Sequence, residues 1–211
     1  MNVISPEQIP AMATAVERAI IEGKSIGPVI EPFIKTESFP DRLRPVQRFV
    51  SSLDFNIDVP VNGKRNCYMP LPDDRIVMCD PRFLPTNSWN SVWNSVLLHE
   101  CQHATEWRRA WHRGIAVSEL RAECGQAILE KLLHLPFCPD QTNQRKWQPQ
   151  WLEEMQEYDD YVFDAVVSAV DSVEYLIDRA ANPIPWTAQR RHINESVGEL
   201  IQKARQQVIA E

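Results

Sequence analysis

Leu97-Leu98-His99-Glu100-Cys101-Gln102-His103 is the stretch from which the architecture of this chain can be worked out. Residues four apart on an α-helix stack on one face, so the imidazoles of His99 and His103 can grip a single metal ion while Glu100 points beside it. Zn2+ takes nitrogen, oxygen or sulfur ligands in a tetrahedron, and a catalytic zinc site uses three protein ligands and leaves the fourth position to water. The pattern therefore predicts a zinc hydrolase in which His99 and His103 hold the metal and the unligated Glu100 is the general base for that water.

Helical periodicity around the box agrees. With residues 87–111 as one helix, Trp89, Val92, Trp93, Val96, Ala104, Trp107 and Trp111 fall on a broad stripe that contains or borders His99, Glu100 and His103. A lone inward histidine is ordinarily a satisfied core residue. An inward carboxylate beside two inward imidazoles is costly unless it is paired or lies at a metal or a cleft, which favours the metal. The third ligand is not the histidine of the metzincin pattern, because Glu106 and Arg109 occupy the positions where that pattern needs glycine and histidine. Downstream, a second helix from Ser118 to about Leu135 carries Glu119, Glu123, Gln126 and Glu130 on one face and Leu120, Cys124, Ile128, Leu132 and Leu135 on the other. Taken alone, the acidic face is an ordinary solvated one; beside the box, it offers a carboxylate ligand.

The order Glu119, Ala122, Glu123 resembles the gluzincin arrangement of thermolysin-type enzymes. That resemblance implies Glu119 as the third metal ligand and Glu123 as the acceptor behind a ligand histidine, fixing its tautomer. Glu123, one turn further along the same face, is the alternative ligand. A longer match runs through Tyr68-Met69-Pro70-Leu71-Pro72-Asp73-Asp74-Arg75-Ile76-Val77-Met78, Phe83, the box, Glu119-Leu120-Arg121-Ala122-Glu123-Cys124-Gly125 and Trp151-Leu152-Glu153-Glu154-Met155, with Ala165, Ala169 and Tyr175-Leu176 beyond. Over about residues 66–178 it resembles the C-terminal zincin-like metallopeptidase domain of ArdC-type antirestriction proteins. The chain departs from that family after the second histidine, where Ala104-Thr105-Glu106 replaces an aromatic and a glycine, and at Trp147, where a tyrosine is frequent. ArdC-type proteins also carry an N-terminal single-stranded DNA-binding domain, and the 65 residues ahead of the match are too few and too different to supply one.

Composition points the same way. With 211 residues, 44% hydrophobic and 24% charged, and a formal net charge of -7, the chain suits a globular unit with a sizeable core that repels nucleic acid on average. Arg42, Arg44, Arg48, Lys64 and Arg65 form a local basic cluster that reads as solvated surface. No leader and no apolar run long enough to span a bilayer is evident, so a cytoplasmic protein without membrane contact is expected. The five cysteines, at 67, 79, 101, 124 and 138, show no Cys-x-x-Cys pairing and suggest neither a disulfide framework nor a thiolate zinc site. Cys101 and Cys124 read as small buried hydrophobes.

The remaining segments complete an α+β reading: a small antiparallel sheet packed on a mostly helical, zincin-like domain with the box helix at its centre. Residues 1–65 are an N-terminal helix and extension packed on the core, 66–211 the zincin-like domain, and the whole one globular unit. Ser5 and Gln8 form a capping box for a helix to about Glu22. Residues 25–48 are irregular, residues 53–59 alternate as a strand, and Asn62-Gly63 is a hairpin-type turn. Asn66 to Met69 and Arg75 to Asp80 are strands, the latter the expected edge for an extended substrate. Residues 136–149 are a loop, and helices follow at about 151–178, broken near Tyr158, and at about 186–210. His112, Arg113, Tyr158 and Tyr161 are the candidate oxyanion donors. Zinc-dependent hydrolysis of a protein or peptide substrate is the expected function. The rival, drawn from the resemblance, is a mobile-element or phage protein that blocks host restriction by binding DNA or a host protein, with the metal serving only the fold.

Overall fold

A computed structural model describes residues 2–83, 89–111 and 113–182. The expected helix at 186–210 and the candidate donor His112 lie outside the described residues. The N-terminal helix α1 (Ile9–Glu22) buries Met12, Ala13, Val16, Ala19 and Ile20, the spacing of one helical face. It ends where Gly23 takes a φ of 64° and the amides of Gly23 and Lys24 bond back to Ile20 and Ala19, the Schellman closure that glycine permits. The expected capping box at Ser5 is not made. Pro6–Gln8 form a 3₁₀ turn instead, and the Ser5 hydroxyl pairs with Lys35.

The segment read as irregular contains two further helices, α2 (Ile26–Ile30) and α3 (Val46–Leu53), linked by 3₁₀ turns. Leu53 was expected in a strand, but Val46, Phe49, Val50 and Leu53 share a buried helical face, so the 3.6-residue period captures it. Only Ile57–Asp58 remain as strand β1, followed by β2 (Cys67–Met69) and β3 (Arg75–Val77). The sheet is mixed, contrary to the antiparallel expectation: β3 lies in the middle, antiparallel to β2 and parallel to β1. The turn at Asn62-Gly63 exists, with the Gly63 amide bonded to the Pro60 carbonyl at 2.8 Å, but the strands it connects are not neighbours. β3 fills the slot between them.

Among the described residues, four long helices make the body: α4 (Trp89–Glu106), α5 (Ile115–Leu132), α6 (Thr142–Glu157) and α7 (Tyr161–Ala181). α5 is central, packed by α4, α7, α2 and α6, and most of its residues are buried. Its polar side chains are therefore partnered internally. Fully buried Arg121 donates to the Ser168 hydroxyl at 2.8 Å, the Gln102 carbonyl at 3.0 Å and the Thr105 hydroxyl. Gly125 lets α4 approach, since a Cβ there would collide with the Gln102 side chain. The break expected near Tyr158 separates α6 from α7, whose stripe of Val162, Ala165, Val166, Ala169, Val173, Leu176 and Ile177 is core.

The expected loop at 136–149 is a correction: α6 starts at Thr142 and carries Pro149 in its interior. Tertiary bonds outweigh the lost helix bond. Gln144 donates to the Lys24 carbonyl at 2.5 Å and accepts from the Ile26 amide at 3.3 Å, and buried Trp151 donates to the Ala116 carbonyl at 2.7 Å. One continuous hydrophobic cluster runs from Val3 to Ala180. Among the described residues no helix is long and apolar enough to cross a membrane.

Candidate metal centre

The box lies within α4, shorter than the expected 87–111 because the chain turns at Ala110, whose φ is 51°. His99 and Glu100 are buried, His103 is half-buried, and Trp107 is exposed rather than in the core. On α5, a mostly buried helix of 18 residues, Glu119 lies about one turn from the N-terminus and is set against both imidazoles. His99 Nε2 and His103 Nε2 stand 3.2 Å apart, and the nearest Glu119 oxygens lie 3.4 Å from the first and 3.7 Å from the second. A tetrahedron with bonds of about 2.0–2.1 Å has edges of about 3.3 Å, so these three groups can hold one divalent cation. Glu123 lies on the opposite edge of the His99 ring, 3.7 Å from Nδ1. The two glutamates thus flank His99 from different sides.

Electrostatics tie the cluster together. Burial opposes a charge on His99, but Glu119, Glu123 and Glu100 outweigh it and raise the imidazole pKa to about 9. Burial raises Glu119 less than His99, His103 and Asn143 lower it, and its carboxyl titrates at about 2. Glu100 is shifted upward, chiefly by burial, although the imidazoles pull it down and the Tyr68 amide donates to it. A carboxylate with a raised pKa at a cleft is suited to accept and return a proton. β2 supplies that wall: the Tyr68 hydroxyl donates to Asp74 at 2.7 Å, and Arg108 on the turn after α4 grips both Asp74 oxygens at 3.0 Å.

Two clefts flank the cluster and share Asn66, Glu100 and Glu119. The first, about 340 Å³, is bordered by His103, Tyr68, Trp107, Arg113 and Ile115; the second, about 300 Å³, by His99, Glu123, Gln126, Asn143 and Lys146. The expected substrate strand is corrected by the topology, since β3 has a neighbour on each side while β2 is the edge that lines the first cleft. Of the candidate oxyanion donors, Arg113 borders that cleft and pairs with Asp164 at 3.1 Å. Tyr158 and Tyr161 border neither cleft.

Sequence reading missed Glu106 and Asn143. Glu106 Oε1 is 2.9 Å from His103 Nδ1, accepts from the Ser118 hydroxyl, and lies 3.8 Å from the buried Arg121 guanidinium. Its i,i+3 spacing from His103 on α4 was a usable signal. Asn143 Nδ2 donates to Glu119 Oε2 and to Glu123 Oε1, both at 2.9 Å, and no local pattern announces it. Cys101 and Cys124 are fully buried hydrophobes, and all five cysteines are free.

No family profile and no curated protein matches the chain. Among solved structures it is similar to the crystal structure of the antirestriction protein ArdC from plasmid R388 in its Mn(II)-bound form, with a TM-score of 0.55 and 23% identity. The match covers 66% of this chain and 53% of that one, so the chain spans about half the length of ArdC. At that identity the likeness concerns the fold.

Proposed function

We propose that this protein is a zinc-dependent, zincin-like metallopeptidase acting on a protein or peptide substrate in the cytoplasm. The observation that carries the reading is the convergence of His99, His103 and Glu119 within ligand distance of one another, with Glu100 beside them and a cleft on either side. His99, His103 and Glu119 would hold a divalent ion, which when bound would supply Lewis acidity toward a peptide carbonyl and acidify water. Glu100 accepts the proton from the attacking water on its carboxylate and returns it to the leaving nitrogen. Edge strand β2 holds the extended substrate along the first cleft, with its position fixed by the Tyr68–Asp74–Arg108 link. Glu106 orients the His103 ring by a hydrogen bond at Nδ1, and Glu123, 3.7 Å from His99 Nδ1, acts on the other ring by its charge. Carboxylates at 100, 106, 119 and 123 around the clefts disfavour a phosphate backbone and favour polypeptide.

Two nitrogens and one carboxylate oxygen suit Zn2+, although the similar ArdC structure carries Mn(II). Elemental analysis of protein purified without added metal decides between them. For hydrolysis, the test is Glu100→Gln assayed on a peptide library. The variant retains its metal and loses about 100-fold or more of the rate, and chelation abolishes cleavage by the unmodified protein. The likeness to an antirestriction protein favours a second reading, in which the same metal site braces a module that binds a host-defence component. Restriction protection that survives Glu100→Gln selects that reading.

A further inference from the structure

We infer that Asn143 is a positioning residue that divides the work between the two glutamates of α5, holding Glu119 toward the metal and Glu123 behind His99. The inference rests on the metal site proposed above. Glu119 and Glu123 are one turn apart on the same helix face, so nothing in their own helix decides which becomes the ligand, and their like charges repel. Asn143 Nδ2 has two hydrogens, and each carboxylate accepts from that nitrogen at 2.9 Å. A neutral double donor between two anions satisfies both without adding charge, and it fixes Glu119 facing the two Nε2 atoms while Glu123 faces His99 Nδ1. A lysine in the same place would compete with the metal as a cation, and an aspartate would add a third repelling carboxylate.

The amide is held where it must act. Asn143 stands in the first turn of α6, directly before Gln144, whose side chain is buried and bonded to the Lys24 carbonyl and the Ile26 amide. Asp140 Oδ1 accepts from the Thr142 amide at 2.9 Å and its hydroxyl at 2.6 Å, which closes the turn on the other side. Trp151 ties the middle of the same helix to the start of α5. The tertiary placement of α6 therefore selects the ligand.

The test is metal affinity by chelator competition, with Zn2+ as the probe, on the full chain carrying Asn143→Ala or Asn143→Asp. Expected is a loss of about 10- to 100-fold in both, the range for residues that orient metal ligands, with melting of the chelated protein unchanged. Asn143→Asp is the discriminating variant because it keeps size and shape, removes the donors and adds a charge. A mere spacer predicts unchanged affinity, and a simple acidic cluster predicts tighter binding; either result overturns the inference. So does failure of both variants to fold in chelator, which makes Asn143 a folding residue. Absence of Zn2+ from the unmodified protein sinks the metal site itself, whereas normal binding by it and by both variants sinks only the role of Asn143.

Discussion

His99 and His103 meet across 3.2 Å, yet they are backed by different parts of the protein. Behind His103 the chain of contacts runs into the core: Glu106 takes the ring at 2.9 Å, the Ser118 hydroxyl takes Glu106, and the buried guanidinium of Arg121 lies 3.8 Å from it. Arg121 is in turn bonded to α4 and α7. Behind His99 there is a carboxylate at 3.7 Å, beyond hydrogen-bond reach, steadied by a neutral amide from α6. One imidazole is braced by charge and buried structure, the other by a later helix docking across the cleft. A short motif can thus be supported asymmetrically, its second histidine first met by a neighbour on the same helix and its first histidine only by tertiary contacts.

That asymmetry can be broken at several strengths. His103→Ala has the largest effect, with bound metal in elemental analysis falling from about one equivalent to near zero; retention of half an equivalent would rule out the site. Glu106→Gln comes next, with metal affinity about 10- to 100-fold weaker. Its carboxylate no longer faces Arg121, so unlike a change at Asn143 it also lowers the melting temperature of chelated protein. Gly125→Ala forces the Gln102 side chain aside and separates α4 from α5. A stability loss of about 1–3 kcal/mol in urea titration is expected, with weaker metal binding because Glu119 moves with α5.

A last contrast lies in pH dependence. In chelated protein the raised pKa of His99, about 9, stabilises the fold fully below about 6.5, and this contribution is lost as pH rises through the folded value. In metal-loaded protein, protons compete for the same nitrogen, so stability falls as pH drops. Urea midpoints between about pH 6 and 9 should slope in opposite directions with and without chelator. Parallel profiles would remove His99 from the ligand set.

Much of the site was legible because its spacing is helical. His99, Glu100 and His103 follow from a four-residue step, and Glu106 was within reach of the same argument at three residues from His103. The stripe of α7 and the break before it were legible for the same reason, since apolar periodicity reports burial directly. The misreadings share another cause. Leu53 to Val59 alternates like a strand, yet Leu53 completes the buried face of α3. The stretch from Pro136 to Pro149 has loop composition, yet Gln144 and Trp151 gain enough tertiary bonds to hold α6 as a helix through Pro149. The mixed sheet escaped because strand order depends on which slot β3 enters, and strands of two or three residues carry too little pattern to specify it.

Local spacing alone specifies the two imidazoles, the carboxylate between them and the acidic face opposite, because residues three and four apart on one helix are neighbours whatever surrounds them. Which glutamate faces the metal position, which carboxylate braces each histidine and which strand forms the cleft edge were decided only when α5, α6 and the sheet packed against α4. Those choices depend on contacts between residues far apart in the chain, such as Asn143 with Glu119 and Arg108 with Asp74, and no local periodicity encodes such distances.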